Sequence, residues 1–232
     1  MHNLAKLLGK AKHELNLIYT EPPAFRNGGR DEGWFCREHA YHTYFLARLL
    51  GYPASITVGH FAIRLPDAKV LTSYGTDCDH AWCSVADVSP VDLSISFEYH
   101  SGFPSLSGPV MGTGEADPFE VLSLSNPTEF ERVLASQSPR PSITYLPHTM
   151  LGLSSDSLLV HPDRFFLPSD EGGWLNLYGP EVFCRITMHV FKVMRGRVPS
   201  LVGRYNPRDA FRFIRTHYAA CRPKIAKLVG MA

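Results

Sequence analysis

Gly33-Trp34-Phe35-Cys36-Arg37-Glu38-His39-Ala40 opens the stretch that decides the fold, and Leu49-Leu50-Gly51 closes it. Cys36, Ala40, Tyr44, Ala47 and Leu50 recur at helical spacing, with Phe45, Leu46 and Leu49 widening the apolar surface. The run therefore predicts a central helix that begins at Cys36 and is capped by Gly51. A thiol at a helix N-terminus meets the positive end of the macrodipole and unpaired backbone N–H groups, which favours its thiolate. The loop before it carries Gly28, Gly29 and Gly33.

Outward from this helix the pattern changes in both directions. Upstream, Leu4, Leu7, Leu8, Ala11, Leu15 and Ile18 predict an amphipathic helix over 3–19, ended by Glu21-Pro22-Pro23. Downstream, Ala54–Val58 continues through Gly59 into His60–Leu65, then Val70–Tyr74, His80–Ala86 and Val91–Phe97 follow as strands. An antiparallel sheet packed on the Cys36 helix is expected. Beyond Glu98 glycine, serine and proline interrupt the pattern. A helix near Pro127–Ser136 with Asn126 as its cap stands out there, and 143–146 and 157–160 read as short strands. Gly179-Pro180-Glu181 and Asn206-Pro207 start two further helices, to about Met194 and Cys221. The expected organisation is a core over 1–125 with the N-terminal helix, and an extension over 126–232 of loops and basic C-terminal helices packed on it.

Composition limits the function classes. Of the 232 residues 44% are hydrophobic, enough for a sizeable core, and no apolar run approaches the roughly 18 residues that cross a bilayer. Lysines break the N-terminal segment before a signal-like run develops. Five cysteines, an odd number at irregular spacing, do not form a disulfide framework and predict a reduced, cytoplasmic protein. The net charge of +1 hides an asymmetry: from residue 182 onward stand 11 lysines and arginines and one acid, Asp209. That basic end suits docking on the acidic remainder of the chain. The alternative is a catalytically silent domain that binds nucleic acid or an acidic protein, with Arg208, Arg212 and Arg215 as contacts.

A thiolate nucleophile needs a base, and the base needs a group that fixes its tautomer. His80 stands at a loop-to-strand junction and Asp92 on the following strand. With a tight turn centred near Ala86 the two are cross-strand partners, about 5 Å apart at Cβ. Asp87 is the rival acid, but it falls in the turn itself, where aspartate is commonly solvated. Cys36, His39 and His42, or Cys78, His80 and Cys83, do not have the spacing of a tight zinc site. No glycine loop precedes a Lys-Ser or Lys-Thr pair, so neither a metal nor a nucleotide cofactor is expected.

Trp34-Phe35-Cys36 before a helix, Leu49-Leu50-Gly51-Tyr52-Pro53-Ala54 at its end, Val58-Gly59, His80-Ala81-Trp82 and Val91-Asp92 together resemble the transglutaminase-like core. The likeness covers residues 30 to 97. It implies a papain-like α+β fold and acyl transfer through a thioester by Cys36, His80 and Asp92, on a peptide, protein or small amide. Water as acceptor gives hydrolysis and an amine gives transamidation; hydrolysis is the favoured expectation. The backbone N–H of Cys36 and the indole of Trp34 are the oxyanion candidates, and Phe35, Trp82 and His60 the cleft candidates. Phe35 stands where many members have Gln or a small residue, and Ser55 where many have Arg. Arylamine N-acetyltransferases share the Cys-His-Asp order, without a matching Arg-rich approach to the cysteine here.

Overall fold

A computed structural model describes residues 2–19, 36–67, 69–75, 80–95, 106, 108–112, 114–138, 140–148, 186–187 and 189–194. The first helix, α1 (His2–Tyr19), buries Leu4, Leu7, Leu8, Ala11 and Leu15, the stripe its spacing predicts. The second, α2 (Cys36–Leu49), begins at Cys36. Its C-terminus closes on Gly51, whose φ of 85° only glycine adopts without strain. Gly51 N donates to Arg48 O and Tyr52 N to Ala47 O, the paired bonds of a Schellman cap.

The strands are β1 (Ala54–Arg64), β2 (Val70–Thr72), β3 (His80–Val85), β4 (Val88–Asp92), β5 (Val110–Met111), β6 (Gly114–Ala116), β7 (Phe119–Ser123) and β8 (Ser142–Pro147), with α3 (Pro127–Ala135) before β8. They form one sheet in the order β5-β4-β3-β1-β8-β7-β6, with β2 paired to β1. All pairs are antiparallel except β7 with β8, so the sheet is mixed and not the purely antiparallel one expected. The parallel pair arises because α3 returns the chain to the same end of the sheet before β8 begins. The architecture is α+β.

Two features show that this sheet is strongly curled. Its edge strands β5 and β6 are joined by residues 112 and 113 alone, a link of three Cα steps that spans at most about 11 Å. Phe61, Ile63, Trp82, Val110, Phe119, Val121, Ile143 and Tyr145, drawn from both halves of the sheet, also share one core on its concave face. The opposite face, with Ile56, Val58, Ala81, Cys83, Val85 and Val91, packs on α2.

Residues 186–187 and 189–194 are helical, and Val190, Phe191 and Met194 enter the α2 core. This explains why α2 is buried on more than the predicted stripe. Glu38 and His42, which the spacing put off the apolar face, are 2% and 0% exposed. The expected division at 125/126 falls inside the sheet, because β8 lies between β1 and β7. The α3 expectation holds, Asn126 accepting from Thr128 N at 2.9 Å. The strand expected at 157–160, the start of the helix at 179–181, and the helix at 206–221 with Arg208, Arg212 and Arg215 lie outside the described residues. Among the described residues no helix is long and apolar enough to cross a membrane.

Candidate active site

Lengths alone bring Cys36 toward His80. Helix α2 and strand β1 are linked by residues 50–53 and pack in the same core, so they run antiparallel. Fourteen helical residues reach back about 21 Å. Five steps along β1, about 17 Å, reach Gly59, whose partner on β3 is His80. The first residue of α2 and the first residue of β3 therefore meet at one end of the molecule.

His80 is 2% exposed and its ring rests 4.5 Å from the ring of Phe61 and 6.0 Å from that of Trp82, between centroids. Nε2 donates to Asp92 Oδ2 at 2.6 Å. The Cys36 thiol, 8% exposed, lies close enough to the same imidazole to act on its charge. Burial opposes the charged imidazole, but Asp92's charge and hydrogen bond, joined by Cys36, overcome it and raise His80 above its ordinary value. Burial likewise opposes the Asp92 carboxylate, and the His80 charge with the Ser94 hydrogen bonds holds it below the usual range. Both shifts favour the charged pair, imidazolium with carboxylate.

Asp92 is saturated. Oδ1 accepts from Ser94 N at 2.8 Å and from Ser94 Oγ at 2.7 Å, while Oδ2 accepts from Tyr145 Oη at 2.9 Å as well as from His80. Four donors match the about four lone-pair directions of a carboxylate. The register by which Asp92 reaches His80 differs from the one expected. Val85 faces Val88 across the Ala86–Asp87 turn, but Cys83 faces Val91, so Ser89 and Pro90 together oppose Ser84 in a bulge. Continued inward, this register sets Asp92 opposite Trp82 and diagonal to His80, on the same face. Asp87 is exposed in the turn and does not take part.

The other sequence candidates divide. Trp82 is 1% exposed, packed beneath His80 with its ring edge-on to Tyr145 at 5.0 Å, and so does not line an open cleft. His60 is on the opposite face of β1 from Phe61, because strand side chains alternate. It contacts Ser73 Oγ at 3.4 Å and the rings of Tyr74 and His148, away from the His80 ring. Trp34 and Phe35 lie outside the described residues. Cys83 donates to Ala40 O at 2.9 Å, and burial, with the Asp92 charge, pushes its thiol well up, so it is inert. Among the described residues no group of three or more His, Cys, Asp or Glu side chains is placed to hold a metal ion.

Three contributors were not read from the sequence. Ser94 follows Asp92 by two residues, the spacing of a local Asx bond, and that signal was available. Gly59 is required by close approach: a Cβ there would lie 2.2 Å from Leu146 O and 2.8 Å from Trp82 Cη2. Tyr145 carries no local signal at all. No protein-family model, curated protein or solved structure matches the chain. Its class rests on its own geometry, a curled mixed sheet with a buried Cys-His-Asp cluster where a helix and two strands meet.

Proposed function

We propose that this protein is a thiol-dependent acyl-transfer enzyme of the transglutaminase-like, papain-like type. One observation carries the reading: Cys36 opens α2 beside His80, whose imidazole is held by Asp92 at 2.6 Å. That is nucleophile, base and orienter in contact order.

In the proposed reaction the Cys36 thiolate attacks an amide carbonyl carbon and forms the C–S bond. The oxyanion is met by the Cys36 N–H, which has no partner within its own helix turn. As the C–N bond breaks, His80 gives its proton to the leaving amine. Water then attacks the thioester while neutral His80 takes its proton, and the carboxylic acid and the thiolate are released. An amine in place of water gives transamidation. Hydrolysis is the favoured outcome, and a peptide, protein or small amide the substrate class.

Labelling with iodoacetamide at about pH 6, where an ordinary thiol is almost wholly protonated, tests the reading. Cys36 is expected to be alkylated stoichiometrically and ahead of the other four cysteines, and His80→Ala to abolish the preference. Equal, slow labelling of all five would overturn it. A library of amides and esters with intact-mass detection of a Cys36 acyl adduct then finds the substrate.

A further inference from the structure

Tyr145 is fully buried, and it approaches the cluster from a distant strand. It lies on β8, while Asp92 lies on β4, with β1 and β3 between them. In a flat sheet three strand spacings separate them by about 14 Å, with side chains standing parallel to one another. The 2.9 Å bond from Tyr145 Oη to Asp92 Oδ2 exists only because the sheet curls around its concave core. Gly59 on the intervening β1 has no side chain of its own, and the Trp82 ring packs over it.

Which oxygen Tyr145 chooses matters. Ser94 supplies both donors to Oδ1, whereas Tyr145 donates to Oδ2, the oxygen that also receives His80 Nε2. A second donor on one anionic oxygen draws charge toward itself and weakens the first bond. Burial and the Asp92 charge push the Tyr145 hydroxyl well above its ordinary value, so it stays a donor wherever Asp92 is ionised. Among the described residues, the groups that face His80 include Cys36 from α2, Asp92 from β4 and Tyr145 from β8, with the neutral rings of Phe61 and Trp82 around it.

We propose that Tyr145 is a positioning residue of the cluster: by sharing Asp92 Oδ2 with His80 Nε2, it limits how tightly the carboxylate holds the imidazole. This assignment rests on the acyl-transfer reading for its purpose. There, His80 must release its proton to the leaving group, and a carboxylate that grips too hard slows that step.

The test is Tyr145→Phe, which removes one oxygen and keeps the ring. The readout is the imidazole titration of His80 by NMR in the full chain labelled at histidine, assigned by loss of the signal in His80→Ala. The expected result is a titration midpoint above that of the wild type. Thr144→Val, on the neighbouring β8 residue whose side chain points to the other face, is expected to leave the midpoint unchanged. Ser94→Ala, which keeps Oδ2 intact, is expected to shift it less, in the same direction, and carries the test if Tyr145→Phe does not fold. An unshifted or lowered midpoint in Tyr145→Phe, or in Ser94→Ala where that variant carries the test, overturns the proposal, as does an equal shift in Thr144→Val. Iodoacetamide labelling of Cys36 is measured in the same samples. Failure of selective labelling in the wild type sinks the acyl-transfer reading, while the NMR comparison still decides the role of Tyr145.

Discussion

Asp92→Asn preserves the size of the side chain and removes its charge, which isolates the electrostatic part of the cluster. Four donors converge on the carboxylate, from Ser94 N, Ser94 Oγ, Tyr145 Oη and His80 Nε2. An amide oxygen offers about two acceptor directions, so two of these donors face an NH₂ group instead. Both members of the ion pair are nearly inaccessible, with side-chain exposures of 2% and 1%. Removing one partner of a buried pair typically costs about 3–5 kcal/mol, since the other charge is left in a poorly solvating interior. A loss of that size is expected at about pH 6, where both members are charged.

The pH dependence carries the sharper test. His80 is raised in the folded state, so its contribution is complete below the unfolded value of about 6.5 and is lost as pH rises through the folded value. Asp92 is lowered, so its contribution is complete above about pH 4 and is lost as pH falls through its folded value. The gap between wild type and Asp92→Asn in unfolding free energy is therefore widest between about pH 4 and 6.5, and narrows toward pH 9. Below about pH 6.5 the variant falls further, because burial now acts alone on His80 and keeps it neutral while the unfolded chain binds a proton. Urea unfolding followed by tryptophan fluorescence across this range measures the gap. A gap that is flat, or that grows toward alkaline pH, refutes the charged-pair assignment.

Gly59→Ala places a methyl group against backbone atoms of β8, at 2.2 Å from Leu146 O and 2.8 Å from Pro147 Cα. Since backbone cannot rotate away, we expect a loss of about 3 kcal/mol or more in urea unfolding, with selective Cys36 labelling weakened. Lys12 is 1% exposed and its ammonium donates to Ile95 O, Leu106 O and Gly108 O at 2.6, 2.9 and 2.7 Å. Lys12→Met leaves three carbonyls without that donor, at about 1–3 kcal/mol each, and a destabilisation below about 1 kcal/mol would contradict this role. His42 is held well below its ordinary value by burial first and then by His39, and its Nδ1 meets Thr187 Oγ1 at 2.8 Å. The unfolded chain thus binds a proton that the folded one refuses, and stability falls as pH drops below about 6.5. His42→Gln is expected to flatten that acid limb in urea midpoints measured from about pH 7 to 5.

How much of this was legible in the sequence depends on whether a signal was local. Helix α2 has a stripe, a nucleophile at its first residue and a glycine with the φ that ends it, so its existence, type and both ends were readable. Strands β1 and β3 carry β-branched and aromatic runs between turn residues and were found to within a few positions, whereas β4 (Val88–Asp92) shares only Val91 and Asp92 with the strand expected at 91–97. Strands β5, β6 and β7 were missed. They are two, three and five residues long, in a segment rich in glycine and proline, and exist because the curled sheet supplies partners. The bulge at Ser89-Pro90 was invisible for a related reason. One extra residue in a strand leaves composition unchanged, and together with the two-residue Ala86–Asp87 turn it moves Asp92 from opposite His80 to opposite Trp82. The contact between His80 and Asp92 forms despite that difference in register because a diagonal partner on the same face lies within side-chain reach.

The cluster also depends on two closures of very different range. His80 to Asp92 is a hairpin contact, 12 residues apart, and Asp92 to Ser94 is shorter still. Tyr145 to Asp92 is 53 residues apart and needs the whole path β4-β3-β1-β8 in place and curled. Closing the longer loop costs only about 1–2 kcal/mol more in chain entropy than closing the shorter one, since the cost grows with the logarithm of length. The larger requirement is that β8 reach its register on β1, where Phe61 faces Tyr145 and Gly59 faces Pro147. Phe61 carries the ring on which His80 rests, and Gly59 is the residue opposite His80. The same two β1 residues therefore index the imidazole on one side and the tyrosine on the other. A one-residue slip of β8 would turn Tyr145 to the α2 face and leave Oδ2 with His80 alone. The acidity of the site is in this sense set by sheet register, which is a property of the complete fold and not of residues 30 to 97.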